Sequence, residues 1–302
     1  MEIETNMNYP KVTIILLNWN GKNDTIECLE SLKNITYSNY DILLIDNGST
    51  DGSPEFFRQK YPEIEVIENG ENLGFAEGNN VGMKRAIEKK VDYVLLLNND
   101  TIVDPEFLTE LIKVAENYSE VGIVGPKVYF HNNHNRIQSV GGTINYFTGR
   151  TPLIGCNVPD HGQYDKTREV GYVSGCALLA RIDVMEKLGF LCSDYFAYYE
   201  EVELCIKAKY NNFKVVYVPN SKIWHKEAVT SKKSNYYTYL YTRNRFIFMK
   251  RNGTPLQIIT SSAFFFTTYF IINSLNFITQ KNTKNLKNFY KGIYDGLQYQ
   301  IR

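Results

Sequence analysis

Short apolar runs and helical stretches take turns along the first 125 residues. Residues 12–17, 41–45, 64–67 and 93–97 are β-rich and nearly continuous in apolar side chains, and 122–124 is a fifth such run. Between them, 24–32, 54–60, 76–89 and 105–118 space their apolar positions as amphipathic helices do. Strands without a polar face, separated by one-faced helices, predict βαβ units around a parallel sheet covered on both sides. The helix starts carry their own signals: Asp24 and Asp104 stand as N-caps, and Pro105 takes the first helical position.

From 126 to 168 the pattern weakens into a stretch holding Gly, Asn and Thr, which predicts long loops and short strands over the C-terminal edge of the sheet. Regularity returns as a strand at 172–180, a helix at 182–187, an aromatic run at 196–199, a helix near 200–210 and a strand at 214–218. Beyond about 236 the character changes. Residues 255–280 contain no charged side chain and include Phe264, Phe265, Phe266, Phe270, Ile271 and Ile272. That length suits a bilayer span, which needs ~20 apolar residues. Polar residues such as Gln257, Ser261, Asn273 and Asn276 dilute it and argue against a span. The flanking bases (Arg243, Arg245, Lys250 and Arg251 before; Lys281, Lys284, Lys287 and Lys291 after) suit a helix lying in an anionic interface. A helical pair packed on the domain or on a second subunit is the other reading.

At 302 residues, 43% hydrophobic and 22% charged, the chain is globular: one large α/β domain with an appendage, or two modest domains. Net charge is zero, yet the last 82 residues hold 13 Lys/Arg against 2 Asp/Glu. An acidic body thus carries a basic tail, which predicts a membrane or nucleic-acid surface at one end. No RNA or DNA module surrounds the basic, tyrosine-rich 236–245, which leaves the membrane. The five cysteines (Cys28, Cys156, Cys176, Cys192, Cys205) are odd in number with no Cys-x-x-Cys pair. They predict a reducing compartment rather than a disulfide frame or zinc cluster. Residues 1–10 are polar and acidic, so no secretory signal is expected there.

The candidate chemistry gathers at strand ends. The fourth strand runs into Asn98-Asn99-Asp100, at the carboxyl edge where open α/β sheets place their ligands. One carboxylate and two amides there suit a hard divalent cation with its waters and a phosphate oxygen. The same residues before Asp-Pro also read as turn and N-cap chemistry. Asp46 opens Asp46-Asn47-Gly48-Ser49-Thr50-Asp51-Gly52-Ser53 at the end of the second strand, placed to accept from a base N–H or a ribose hydroxyl. A Gly-rich turn with Ser53 capping the next helix is the alternative. The first strand runs into Asn18-Trp19-Asn20-Gly21, with neither the dinucleotide glycine fingerprint nor a P-loop. Asn72-Leu73-Gly74-Phe75-Ala76-Glu77-Gly78-Asn79-Asn80 offers a backbone able to approach a ligand, then a helix N-terminus. Gly78 and Gly82 read equally as helix-packing glycines.

Glu200, Glu201 and Glu203 open a helix behind the aromatic run 195–199, which could wall a pocket. The helix dipole favours anions there, and a carboxylate so placed can serve as general base. Glu203 is also spaced to pair with Lys207 as a surface ion pair. His225 follows the last core strand; with Asp100 near in space it completes a metal site, and otherwise it is structural.

Taken together, Asn18-Trp19-Asn20-Gly21, Asp46 to Asp51, Asn72-Leu73-Gly74-Phe75-Ala76, Leu97-Asn98-Asn99-Asp100, Val173-Ser174-Gly175, Glu200 to Cys205 and His225 occur in the order seen in family-2 glycosyltransferases. The chain resembles most the rhamnosyltransferase-like branch acting on bacterial and archaeal surface glycans. The resemblance covers about residues 10–235. It implies an α/β, GT-A fold: a Rossmann-like, mostly parallel central sheet flanked by helices, with a C-terminal helical tail. The GT-A domain would span 1–235, with a nucleotide-sugar-binding half at 10–125 and an acceptor-binding half at 126–235, and the basic, aromatic tail would span 236–302.

The resemblance further implies that Leu17, Asn18, Asp46, Asn72, Gly74, Asn79, Asn98 and Asn99 bind the nucleotide sugar. It implies that Gly175 and Glu200 face the acceptor, that Asp100 and His225 hold Mg²⁺ or Mn²⁺, and that Glu201 is the catalytic base. Three positions depart from the family. The first positions of its D-x-D motif are amides here, Glu201 is one methylene longer than the usual Asp, and Lys207 replaces an Arg fork. The implied function is inverting, metal-dependent transfer of a sugar from dTDP-rhamnose or a UDP-hexose to a hydroxyl of a glycan or lipid-linked saccharide. It would serve cell-wall or surface polysaccharide synthesis, in the cytoplasm at the inner face of the membrane. A nucleotidyltransferase would want a Gly- and Lys/Arg-rich loop after the first strand, where Asn18-Trp19-Asn20-Gly21-Lys22 supplies one Lys. A non-catalytic sugar-nucleotide-binding or scaffold protein would follow if the amide-rich metal position had lost activity.

Overall fold

The computed structural model describes residues 9–226 and 235–301. Most of the polar N-terminal segment (1–8), the junction expected between body and tail (227–234) and residue 302 lie outside the described residues. The alternating pattern becomes β1 (Val12–Asn18), α1 (Lys22–Leu32), β2 (Tyr40–Asp46), α2 (Ser53–Lys60), β3 (Glu65–Glu68), α3 (Gly74–Glu88) and β4 (Tyr93–Asn98). Then come β5 (Thr101–Val103) and α4 (Phe107–Asn117). Because β1 is buried on both faces, it takes the middle of this half, parallel to β2 on one side and β4 on the other. That register sets Asn18 level with Asp46, and Leu17 level with Asn98, so three strand ends finish together.

The second half holds β6 (Val121–Phe130), β7 (Asn133–Ser139), β8 (Val158–Pro159), β9 (Arg168–Glu169), β10 (Ala177–Arg181), α5 (Ile182–Leu188), α6 (Glu200–Tyr210) and β11 (Lys214–His225). The main sheet order is β3-β2-β1-β4-β10-β6-β11-β5. Four of its seven junctions are parallel, and β10 runs antiparallel between β4 and β6. Several expected boundaries moved. The strand anticipated from 172 starts only at Ala177, because Tyr172 bridges to Gly142 instead. The strand anticipated to stop at 218 continues past an irregularity to His225, held between β6 and β5. Asp24 lies inside the first turn of α1 rather than capping it. Gly52, not Ser53, is the N-cap of α2, and Asp51 ahead of it accepts from Ser53 N at 3.1 Å. Asp104 accepts from Glu106 N at 3.0 Å in the turn ahead of α4.

Three helices follow: α7 (Asn235–Asn252), α8 (Pro255–Thr279) and α9 (Thr283–Gln298). α7 is a core helix. Ile247, Phe248 and Met249 belong to the same hydrophobic cluster as Ile15, Leu96 and Cys205. Gly292 and Gly296 let α9 lie directly against it; a Cβ at Gly292 would sit 2.6 Å from Tyr239 O. Phe265, Phe289, Phe246 and Ile293 form a separate small cluster where α8 meets these two helices.

The bases ahead of α8 therefore do not face an interface. Arg243 donates to Asp194 O and Tyr195 O, each at 2.8 Å. Arg245 bonds Thr148 O and lies 4.8 Å from the Tyr269 ring centroid. Lys250 donates to Leu297 O and Tyr299 O. Arg251 forks onto buried Glu203, with Nε–Oε2 and Nη2–Oε1 both at 2.9 Å. Glu203 also accepts from Tyr195 Oη at 2.5 Å and Asn252 Nδ2 at 3.1 Å, whereas Lys207, its expected partner, stays at 3.5 Å. These contacts offset the cost of burial and hold the Glu203 carboxyl below its ordinary pKa.

Removing one member of such a pair strands a buried charge. Arg251→Met is expected to cost about 3–5 kcal/mol of unfolding free energy, read by urea titration. The double variant Glu203→Met/Arg251→Met should recover most of that loss; a single variant as stable as the parent would show that the tail is not anchored through this pair.

Candidate active site

The carboxyl ends of β1, β2 and β4 release three loops that bind one another. Asp46, buried, accepts from Asn18 Nδ2 and from Ser49 N, both at 2.8 Å. Ser49 Oγ accepts from Asn20 N at 2.9 Å, and Asn20 Oδ1 from Thr50 N at 2.7 Å. Asn99 Nδ2 donates to Thr25 Oγ1 at 2.8 Å and to Asn18 Oδ1 at 3.2 Å. Gly21 lets these loops meet, since a Cβ there would lie 2.7 Å from Asn99 Nδ2. Asn47 draws in the 69–74 loop. It donates to Asn72 Oδ1 at 2.9 Å and accepts from Leu73 N at 3.1 Å.

These loops, residues 196–198 and the start of α7 enclose a cavity of ≈ 620 Å³. Of the residues anticipated for the nucleotide sugar, Leu17, Asn72, Gly74 and Asn99 line it, and so does Asp100. Asn18 and Asp46 lie beneath them as framework. Asn98 turns away, its Nδ2 3.2 Å from His225 Nε2. Asn79 is buried in α3 and bonds Phe75 O at 2.9 Å, so it stands apart from the cavity. Gly78 and Gly82 are packing glycines, where a Cβ would come within 2.6 Å of Leu17 and 2.7 Å of Ile15. The N-terminus of α3 is largely taken, with Gly74 N bonded to Asn72 Oδ1 and Ala76 N to Phe196 O. Sequence reasoning singled out neither Asn47 nor Tyr236, Tyr237 and Leu240, which come from α7. Trp19 lines the same cavity with 57% of its surface exposed.

Asp100 and His225 meet across the β11–β5 junction. Asp100 Oδ1 lies 3.0 Å from His225 Nε2, yet it is buried without a hydrogen-bond partner. The other ring nitrogen explains this. Nδ1 lies 2.9 Å from Gln138 Oε1, an oxygen that can only accept, and in the tautomer with its proton on Nδ1 the ring donates to it. In that tautomer Nε2 carries no proton for Oδ1, 3.0 Å away, and its lone pair also faces Asn98 Nδ2 at 3.2 Å. Such a pair fits a cation, with Gln138 orienting the ring from behind as the outer partner of a metal-bound histidine does. Burial raises the Asp100 carboxyl, but the His225 ring and, more weakly, Lys226 bring it below its ordinary pKa. Among the described residues no group of three or more His, Cys, Asp or Glu gathers to hold a metal. A divalent ion here would need donor oxygens from its ligand, as Mg²⁺ bound through substrate phosphates does. The described residues lining the cavity include Asp24 and Asp100 and no Lys or Arg.

Glu201 approaches from α6. Its side chain packs on Gly175, 3.4 Å from the position of a Cβ there. The buried Cys176 thiol is raised to about 12, chiefly by burial and further by the charges of both Asp100 and Glu201, so both carboxylates act on it. Glu201 Oε2 is buried without a partner. Burial, partly offset by the backbone N–H groups of the first turn of α6, pushes its carboxyl up to about 7. Glu200 is pushed well above the ordinary range by burial and by the charge of Glu201. Both carboxyls of the pair are thus held above the ordinary carboxylate range.

The chain reaches Glu200 through backbone that L-residues avoid, with φ of 65° at Phe196, 72° at Tyr198 and 80° at Tyr199. Asn244 of α7, fully buried, holds it there. Its Nδ2 serves Tyr195 O, Ala197 O and Tyr198 O at 2.9, 2.7 and 2.9 Å.

Comparison with known proteins bears on this geometry. The family model described as Glycosyl transferase family 2 matches residues 13–183. A low-salt glycan biosynthesis hexosyltransferase of Haloferax volcanii is 25% identical over 243 residues, covering 78% of this chain and 74% of that protein. An N-acetylglucosaminyl-diphospho-decaprenol L-rhamnosyltransferase of Mycobacterium tuberculosis is 28% identical over 218 residues, covering 66% and 71%. Among solved structures, a mannosyltransferase from Pyrobaculum calidifontis, in complex with GDP-Man and Mn²⁺, matches with a TM-score of 0.61 at 14% identity, over 97% of this chain and 88% of that one. The fold is therefore GT-A, and structures sharing it have been solved with Mn²⁺.

If Asp100 and His225 hold a cation, Mn²⁺ titrated by calorimetry in the presence of UDP should bind the parent protein and not Asp100→Ala. Gln138→Leu, which frees the ring, should weaken binding by about 10–100-fold. Equal Mn²⁺ affinity in all three proteins would exclude this pair as the ligands.

Proposed function

The chain belongs to glycosyl transferase family 2, and we propose that it moves a sugar from a nucleoside diphosphate to a hydroxyl of a glycan or lipid-linked saccharide, inverting the anomeric carbon. The observation that carries the proposal is the pair Asp100 Oδ1 and His225 Nε2, 3.0 Å apart, with Asp100 in the lining of a cavity that has no described basic lining residue. A diphosphate would meet amides, backbone and aromatic faces there, and no charged group but carboxylates. A divalent cation on Asp100 and His225 would neutralise the charge that gathers on the leaving diphosphate.

In the proposed mechanism Leu17, Asn72, Gly74 and Asn99 seat the nucleotide sugar, on the framework of Asn18 and Asp46. The acceptor oxygen, presented beside Gly175 and Glu200, attacks the anomeric carbon from the side opposite the diphosphate. Its proton passes to Glu201 as the new C–O bond forms and the bond to the diphosphate oxygen breaks. No acid is needed, because the leaving group requires charge neutralisation and not a proton; a glycosidase would need a second carboxyl as acid. The donor we favour is dTDP-rhamnose or a UDP-hexose, in keeping with the rhamnosyltransferase and hexosyltransferase among the relatives.

We also propose that the protein works at the inner face of the cell membrane. α8 is, by length and composition, apolar enough to cross a membrane. Its exposed side chains include Leu256, Ile259, Phe266, Ile271, Ile272, Leu275 and Ile278. Lys281, Lys284, Lys287 and Lys291 are exposed beyond it, where an anionic surface would meet them. An interfacial helix keeps one face on the protein, as the Phe265 and Ser274 side of α8 is kept.

Glu201→Gln should lower turnover by about 10²–10⁴-fold with donor dissociation near that of the parent. A base must be ionised to act, so the parent's rate should rise with pH through about 7 and the variant's should lose that step. A variant within a few-fold of the parent would remove Glu201 from the reaction. On anionic liposomes the parent should float and Ile271→Glu/Leu275→Glu should remain with the soluble fraction; flotation of both would place the contact elsewhere.

A further inference from the structure

We propose that Lys226 supplies a cation from the protein itself: its ammonium, held by Asp24 and Glu27 on α1, transfers to the phosphate oxygens of a nucleoside diphosphate in the donor cavity. The inference rests on the transferase reading above and adds a residue that recognises the diphosphate.

Placement comes first. Lys226 follows His225 directly, and its backbone N–H donates to Asp100 O at 2.9 Å, which fixes the residue beside the Asp100–His225 pair. From there the side chain runs to α1. Asp24 and Glu27 stand three residues apart on that helix, on one face, and take the ammonium between them. Lys226 Nζ lies 2.8 Å from Asp24 Oδ1 and 2.9 Å from Glu27 Oε2. Asp24 is in the lining of the donor cavity, so the ammonium waits one hydrogen bond behind the wall. Its charge already reaches the site, being one of the influences that lower the Asp100 carboxyl.

The pairing is of a kind that exchanges readily. The Asp24 and Glu27 side chains are 48% and 54% exposed, whereas that of Lys226 is 19% exposed. Ion pairs with exposed partners contribute little, because water screens them and long side chains lose freedom in making them. Arg251 on buried Glu203 is the opposite case, a planar fork on a carboxylate that water does not reach. A lysine ammonium is a point charge on a flexible stem, with three donors to redistribute.

The destination is the stronger partner. Asp24 and Asp100 are both in the cavity lining, and a diphosphate beside them meets like charge. An ammonium that leaves Asp24 for a phosphate oxygen keeps a charge-assisted hydrogen bond and offsets that repulsion where it is greatest. A lysine that merely clasped the end of β11 to α1 would make the same contacts in this structure. The two roles differ in sign. Loosening a clasp from either end weakens the site, whereas loosening the hold on a transferable cation strengthens its grip on the diphosphate.

Calorimetric titration of UDP with Mn²⁺ into the full chain separates them. Lys226→Met should weaken UDP by about tenfold or more, the loss of a hydrogen bond between charged groups. Glu27 is outside the cavity lining, and Glu27→Gln should tighten UDP by about two- to fivefold, the release of an exposed pair. That gain should vanish in Glu27→Gln/Lys226→Met, which shows that it acts through the lysine and not through net charge. UDP binding by Lys226→Met equal to the parent's would overturn the assignment. So would Glu27→Gln binding UDP no tighter than the parent, an outcome that decides the matter even if Lys226→Met does not fold. A gain that persists in the double variant would also overturn it. Absence of both UDP and dTDP binding in the parent would instead count against the transferase reading.

Discussion

A single amide, Asn244 Nδ2, shared among the carbonyls of Tyr195, Ala197 and Tyr198, holds the site together. Those carbonyls belong to a stretch in which Phe196, Tyr198 and Tyr199 all have positive φ, a conformation that costs about 1–3 kcal/mol at each such residue and persists only when the surroundings over-determine it. The same stretch walls the donor cavity, offers Phe196 O to the start of α3, and turns the chain into α6 so that Glu200 and Glu201 face inward. Arg243 adds two bonds to neighbouring carbonyls, and Arg251 grips Glu203 one turn further along α6. Without α7 the loop would have no reason to adopt its shape.

The tail therefore has two characters. α7 is core, and its arginines are spent on carbonyls, rings and a buried carboxylate. α8 and α9 form a smaller unit with its own aromatic cluster and an exposed apolar row. Positive charge that composition alone assigns to a surface is in large part internal. What remains outward, from Lys281 to Lys291, lies beside the apolar face of α8, and this placement rather than the total charge makes an interfacial reading physical.

Electrostatics sets the two candidate carboxylates apart. The Asp100 carboxyl is held ionised beside the His225 ring, which Gln138 orients from behind, in a setting that asks for a cation. Glu201 is raised toward neutrality by burial, in a setting that asks for a proton. Two carboxylates, both felt by the Cys176 thiol, are made chemically different by what surrounds them.

The sheet's first half was legible because strands buried on both faces have continuous apolar runs, and because a parallel pair brings its carboxyl ends to one edge. That is enough to gather Asn18, Asp46 and Asn99 from sequence alone. Helix caps were less legible: Asp24 lies three residues past the N-cap Gly21 and Ser53 one past the N-cap Gly52, since side chains that can cap also serve inside a first turn. The span of β11 was not legible at all. Its register breaks between Val218 and Lys222, and only pairing with β6 and β5 carries it on to His225. Gln138, Asn244 and Tyr237 are ordinary polar residues on a strand and a helix, and no local pattern distinguishes them. Periodicity and strand-end chemistry are local and survive in the chain as written; partners 87 residues apart, as Gln138 and His225 are, or 46–49 apart, as Asn244 and its carbonyls are, exist only once packing has brought them within 3 Å.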